Sequence, residues 1–260
     1  MSTEGIDPQV ESALFARLDS AFEVATAPWT RTGAPCTLLF SGGVDSGLLA
    51  WQLRQNLKVI LSTIGGRGSP DLTAARDSAA LLGGSWVPSE VTEAEIRVVA
   101  GQVQPEISDL PRTGRSVLIA LATAIGRASP GAVLCGQGAD ELFLGYAHFR
   151  GLGAADAASR SETDLRQLLE RDWPRSQRIA DRMGRTLVAP YLHPRFVEAA
   201  RSIPVEHRLA HPTPKWFFRA WARHRGLPAA IAGRPKRALQ FGSGVDRWVP
   251  PFERSRTRRV

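Results

Sequence analysis

Residues 37–46 read TLLFSGGVDS, a short apolar run that ends in a Ser-Gly-Gly turn, and GLLAWQLRQNL (47–57) follows, apolar on one face and polar on the other. That order predicts strand, loop, helix. The unit recurs. KVILSTIG (58–65) reads as a buried strand, GRGSPD (66–71) as a loop, and LTAARDSAALLGG (72–84) as a helix closed by glycine. Short apolar strands that alternate with helices need both faces of a parallel sheet covered, so the pattern predicts an α/β fold with a doubly wound sheet.

Further along, RSVLIALATAIGRA (115–128) reads as a helix and GAVLCGQG (131–138) as the next buried strand with its turn. Before the first strand, Val10, Leu14, Leu18 and Phe22 recur every fourth residue, the stripe of an amphipathic helix. From about residue 150 the pattern is mainly helical, with aromatic bulk at Trp173, Trp216, Phe217, Phe218 and Trp221. The expected organisation is one domain over 1–249: an α/β core at about 30–150, and a helical part, about 151–249, packed on it. A basic tail, 250–260, follows.

Composition narrows the classes. With 43% hydrophobic and 22% charged positions in 260 residues, the chain has a globular composition and enough length for a sizeable core. Two cysteines, Cys36 and Cys135, are too few for a disulfide framework and sit in apolar surroundings, so reduced core thiols and a cytoplasmic location are expected. MSTEGIDPQVES carries neither a basic start nor an apolar run, and no stretch is apolar enough to span a membrane, so neither a signal peptide nor membrane association is expected. The formal charge is +8, of which four Arg against one Glu put +3 in 250–260 and leave +5 for the rest. Nucleic acid is therefore not the expected partner.

Ligands of open parallel sheets collect at the carboxyl ends of the strands, where both SGGVDS (41–46) and CGQGAD (135–140) fall. A Ser-Gly-Gly turn before a helix lets backbone N–H groups converge on an anion at the positive end of the helix dipole, which suits phosphate. Gly42 and Gly43 allow close approach, Ser41 and Ser46 add hydroxyl donors, and Asp45 is a carboxylate able to hold Mg²⁺ against phosphate oxygens. For SGG alone, a tight strand-helix turn capped by Ser and Asp is the favoured reading.

The complete hexapeptide resembles the pyrophosphate-binding loop of the ATP pyrophosphatases, the adenine-nucleotide alpha-hydrolase superfamily. No Gly-Lys-Ser/Thr follows it, so it is not a Walker loop. CGQGADELFLGY (135–146) is similar to the SGEGADEVFGGY segment of the asparagine synthetase family. Three further stretches resemble that family in the same order: IGGRGSPDLTAAR (64–76) its SPDLxAA segment, MGRTLVAPYLHPRFVEAA (183–200) its GVEARVPFLD segment, and RPKRALQFGSGV (234–245) its KxxFSxGV segment.

The resemblance implies an ATP-dependent amide synthetase of the asparagine synthetase type. In such an enzyme, adenine lies against positions matching Leu39 and Ile64 on one side and Cys135 and Gly136 on the other. The loop Ser41–Gly42–Gly43–Val44–Asp45–Ser46 holds pyrophosphate, and Asp45 and Asp140 are the Mg²⁺-associated carboxylates. A carboxylate, aspartate or a related acid, attacks the alpha-phosphorus to give an acyl-adenylate, an amine or ammonia displaces AMP, and Lys236 stands near the developing charge. Asp172 and Arg175 occupy places like the family's DxxR, with a surface pair at helical spacing as the equal alternative. His193 reads as a loop cap, and Trp216, Phe217 and Phe218 read as core more than as a base-stacking platform.

Two departures stand out. The glutamine-using members carry an N-terminal cysteine nucleophile on a glutaminase domain, and this chain begins Met-Ser with the synthetase motifs following directly. It is expected to lack its own glutaminase and to take nitrogen from free ammonia, another amine, or a separate glutaminase subunit; a homodimer is left open. Gln137 stands where the family has Glu, and an amide cannot act as a base at neutral pH. It is carried as a catalytic-site residue that either changes the acceptor or is a tolerated variant. A tRNA-modifying ATP pyrophosphatase and a non-catalytic nucleotide-binding subunit are the competing readings.

Overall fold

The computed structural model describes residues 6–250, so most of the basic tail lies outside the described residues. The elements are α1 (Pro8–Thr30), β1 (Cys36–Leu39), α2 (Val44–Leu53), β2 (Val59–Gly65), α3 (Pro70–Leu82), β3 (Ser85–Glu90), α4 (Glu93–Gln102), α5 (Gln104–Ile107), α6 (Arg112–Arg127) and β4 (Gly131–Leu134). They continue with α7 (Ala139–Leu142), α8 (Ala154–Gln167), α9 (Trp173–Arg182), β5 (Arg185–Val188), α10 (Pro194–Arg201), α11 (Val205–Leu209), α12 (Trp216–His224), α13 (Ala229–Ala232) and α14 (Leu239–Gly242).

The five strands form one parallel sheet in the order β3-β2-β1-β4-β5. This is the doubly wound α/β architecture of the ATP pyrophosphatases. Chain order reverses at β1, so the crevice between the carboxyl ends of β1 and β4 is the topological switch point, where such sheets bind ligands. One face of the sheet is covered by a core that draws on α1, α2, α3, α10 and α12, the other by a core from α4, α6 and α9. The helical part thus lies directly on the sheet.

Two strands escape the sequence reading, and both are edges. β3 (SWVPSE) contains Pro88 and two serines and pairs only with β2; an edge strand has a free ladder side on which a missing N–H is harmless. β5 is four residues inside an otherwise helical stretch and pairs only with β4. Neither has the continuous apolar run that marks the three central strands.

Helix boundaries also shift. Asp7 caps α1 by accepting the N–H groups of Gln9 and Val10, and the helix runs past the predicted stripe; Leu14, Leu18 and Phe22 are buried, but Val10 faces solvent. α2 starts at Val44, three residues earlier than the apolar pattern suggests, and so takes Val44, Asp45 and Ser46 out of the predicted loop. It ends at Leu53, and the Asn56 side chain then donates to the carbonyls of Trp29 and Ala34, which turns the chain into β2. α3 ends on Gly83, whose φ of +68° is open to glycine without strain.

Cys36 and Cys135 are both unpaired and buried, and burial pushes each thiol up to about 12. Among the described residues, no helix is long and apolar enough to cross a membrane.

Candidate active site

The first turn after β1 leaves backbone N–H groups open at the start of α2. Gly42 has φ +71°, and a Cβ there would lie 2.5 Å from the Ala74 carbonyl oxygen, so no larger residue fits against α3. Gly43 is the N-cap of α2 and contributes no side-chain cap, which leaves the first-turn N–H groups of the helix without a side-chain acceptor. Ser46 Oγ accepts the Ser41 N–H at 3.2 Å, and the two serine hydroxyls lie 3.3 Å apart. Ser78 clamps the loop from α3 by donating to the Gly42 carbonyl at 2.9 Å.

The second turn comes in against the first. A Cβ on Gly136 would lie 3.0 Å from Asp45 Cβ, so glycine lets the turn after β4 pack on the start of α2. Tyr191, fully buried, donates from its hydroxyl to the Asp45 carbonyl at 2.8 Å and ties the turn before α10 to the same spot. Leu39, Ile64, Cys135 and Gly136 stand at or just past the ends of β1, β2 and β4, three neighbouring strands. Every position the motifs singled out for nucleotide contact is therefore on one rim.

At the centre are two carboxylates and two ammonium groups. Lys215 Nζ donates to both oxygens of Asp45, each at 2.7 Å, and lies 2.8 Å from Asp140 Oδ1. Lys236 Nζ reaches the same Asp140 oxygen at 2.5 Å and sits 4.3 Å from the centre of the Tyr146 ring. Gly145 makes the approach feasible, since a Cβ there would lie 2.0 Å from Asp140 Oδ1 and 2.3 Å from Lys215 Cε.

Burial opposes charge on Asp140, but the Lys215 and Lys236 ammoniums outweigh it and hold the carboxyl below its usual range. Burial likewise opposes the Lys215 charge and is overcome by Asp140 and Asp45, so this lysine is held protonated. For Asp45, burial outweighs the pull of Lys215 and pushes the carboxyl up. Next to them, Glu141 is buried and accepts the Tyr146 hydroxyl at 2.5 Å; burial and the Asp140 charge push Glu141 up to about 7.

Lys215 is the candidate site residue that the sequence pattern did not point to. Its signal was faint: one lysine between prolines and the buried WFF run at the head of α12. It is only 2% exposed and holds φ +58°, a left-handed conformation uncommon for a side-chain-bearing residue, and this aims it back at the two carboxylates. Trp216, Phe217 and Phe218 beside it are core. Gln137 lies at the second turn, where its Oε1 accepts the Cys135 thiol at 3.6 Å.

Other sequence candidates do not converge on the cluster. Arg175 pairs with Asp109 and donates to the Glu106 carbonyl, tying α9 to the α5 region, while Asp172 accepts the Gln167 side chain. His193 Nδ1 accepts the Arg195 N–H at 3.3 Å and caps α10.

A glycine turn and an uncapped helix N-terminus at the switch point of a parallel sheet, with a lysine–aspartate cluster beside them, belong to an α/β fold of the ATP pyrophosphatase class. Within that class, the family model for asparagine synthase matches residues 17–159 and 150–258, and the chain belongs to the asparagine synthase family. It is 33% identical over 220 residues to an asparagine synthetase (glutamine-hydrolyzing) of Gallus gallus, an overlap of 78% of this chain and 39% of that protein. The enzyme of the same description from Cricetulus griseus is 31% identical over 250 residues, 90% of this chain and 43% of its own length. The chain spans less than half the length of these relatives.

Proposed function

We propose that the chain is an ATP-dependent amide synthetase that activates a small carboxylate as its acyl-adenylate. The observation that carries this reading is the meeting of Asp45, Lys215, Asp140 and Lys236 beside a glycine loop whose helix N-terminus is open to phosphate. The first-turn N–H groups of α2, with Ser41 and Ser46, take the pyrophosphate portion of ATP, and the strand ends at Leu39, Ile64 and Cys135–Gly136 take adenine. A carboxylate oxygen bonds to the alpha-phosphorus as the bond to pyrophosphate breaks. The amine nitrogen then bonds to the acyl carbon, loses a proton, and AMP departs with the former carboxylate oxygen.

Lys215 and Lys236 offset the negative charge that builds up on phosphorus and on the acyl oxygen in these two steps. Both are pre-set by their ion pairs, so little reorganisation is needed as charge develops. Tyr146 fixes the direction of the Lys236 side chain through its ring face. Gln137, as an amide, orients groups by hydrogen bonding and takes no proton.

Magnesium fits this donor set. Asp45 and Asp140 already share one cation, the Lys215 ammonium, within 2.8 Å, and two carboxylate oxygens plus phosphate are what the ion favours. Asp45 and Asp140 would hold it. Bound there, it would neutralise phosphate charge during displacement. Nitrogen would arrive as ammonia, as another amine, or from a separate glutaminase.

The test is a pyrophosphate-release screen with ATP and Mg²⁺ across carboxylic acids, each tried with ammonia and with amines. Pyrophosphate and AMP are expected in equal amounts with one class of acid, aspartate being the first candidate. Release with another acid but never with aspartate would move the substrate and keep the adenylation. No release with any acid, from folded protein that binds ATP, would overturn the proposal.

A further inference from the structure

One carboxylate near the site is buried without a partner. Asp71, in the first turn of α3, is 5% exposed, and its Oδ2 makes no hydrogen bond. Its carboxyl rests on the backbone of Gly242, where a Cβ would lie 2.0 Å from Oδ1 and 2.5 Å from Oδ2. Gly242 closes α14, the short helix that follows the irregular segment 234–238 carrying Lys236. One residue later, the Ser243 carbonyl accepts the Gly66 N–H at 2.8 Å. The chain just past the Lys236 segment is thus tied to the β2–α3 loop by a backbone hydrogen bond at Ser243, and one residue earlier it packs against the Asp71 carboxyl at the start of α3.

We propose that Asp71 is a positioning residue for the Lys236 segment, a latch that holds the segment over the site as the neutral acid and loosens it as the carboxylate. The neutral acid brings no charge to desolvate and has an O–H to donate, whereas the carboxylate only accepts, in a place that offers it no donor. β2 and α14 present no ionisable residue to it. Arg76 and Asp77 of α3 itself, Glu90 of β3, Asp45 of α2, Arg67 of the preceding loop, and Asp246 and Arg247 beyond α14 are the other charged groups on the elements around it. Arg237, next to Lys236, is the charged group that acts on it. An ionised Asp71 would draw Arg237 toward α3 and displace its neighbour.

Burial pushes Asp71 up to about 7, with Arg237 pulling the other way. A folded value above the unfolded one means the neutral, latched state is complete at low pH and is lost as pH rises through about 7. The catalytic consequence rests on the proposed role of Lys236; the movement itself does not.

Two readouts separate them. The first is the rate of tryptic cleavage after Lys236 and Arg237, followed by mass spectrometry at pH 6 and pH 8, for the wild-type chain and Asp71→Asn. Dividing one by the other at each pH cancels the protease's own pH response. The wild-type rate should rise severalfold relative to the variant between pH 6 and pH 8. A ratio that stays constant would overturn the latch. Gly242→Ala, which drives a methyl into the carboxyl, should be cleaved fast at both values; if it is as resistant as wild type at pH 6, the contact does not hold the segment.

The second readout is pyrophosphate release against pH. A falling limb near neutrality in wild type should vanish in Asp71→Asn while the rate at pH 6 is unchanged. A limb that survives in Asp71→Asn would overturn the link to catalysis. Cleavage that follows Asp71 while release ignores it would keep the latch and count against the role given to Lys236.

Discussion

Lys215→Met should destabilise the folded chain by about 3 kcal/mol, the lower part of the range for breaking a buried ion pair from one side. The methionine fills the volume, so the loss reports charge and not a cavity. Lys215 is the cation shared by Asp45 and Asp140, and its removal leaves Asp45 with no other ion pair among the described residues, while Lys236 still reaches Asp140. The deficit should depend on pH. Asp140 is held low in the wild type, so its pairing supports the fold above the ordinary carboxylate range and is lost as pH falls through the lowered value. In the variant Asp45 is unpaired and Asp140 keeps only Lys236, so both carboxylates gain protons more easily, and the difference between the two chains should be large at pH 8 and shrink towards pH 4. Chemical denaturation at both values measures it. An equal difference at the two would show that Lys215 acts through packing alone.

Lys236→Ala is expected to do the reverse, costing rate and sparing the fold. Its ammonium is partly exposed, it sits on an irregular segment, and it pairs with a carboxylate that keeps Lys215 as a partner. Removing a preorganised group that meets developing charge costs about 10²–10³ in turnover. Pyrophosphate release should fall by that factor with the thermal midpoint nearly unchanged. Lys236→Arg should recover little, since a guanidinium stacks on the Tyr146 ring and pairs bidentately with Asp140, which spreads and diverts the charge that the compact ammonium presents as a point. A variant that releases pyrophosphate at the wild-type rate would remove Lys236 from the chemistry.

These two lysines also show how far the chain could be read by eye. Lys236 and the carboxylates of SGGVDS and CGQGAD stood in motifs, and the structure places them within one cluster because both turns sit at the ends of adjacent buried strands. Lys215 stood in no motif. Its placement depends on a left-handed backbone at the head of α12 and on how that helix lies across the sheet, neither of which has a local signature. The same holds for the fold. β1, β2 and β4 announced themselves as apolar runs because they are buried on both faces, while β3 and β5 are edge strands whose composition resembles loops. Asp71 was visible inside SPD, but nothing in the sequence placed its carboxyl against Gly242.

Oxygen transfer tests the central claim most directly. The carboxylate found in the screen would be labelled with ¹⁸O in both oxygens and turned over with ATP, Mg²⁺ and ammonia or the amine, and the products would be resolved by mass spectrometry. An acyl-adenylate leaves one labelled oxygen on AMP and none on pyrophosphate. Label in inorganic phosphate alongside ADP would mean attack on the gamma-phosphorus, and would contradict the account of this site.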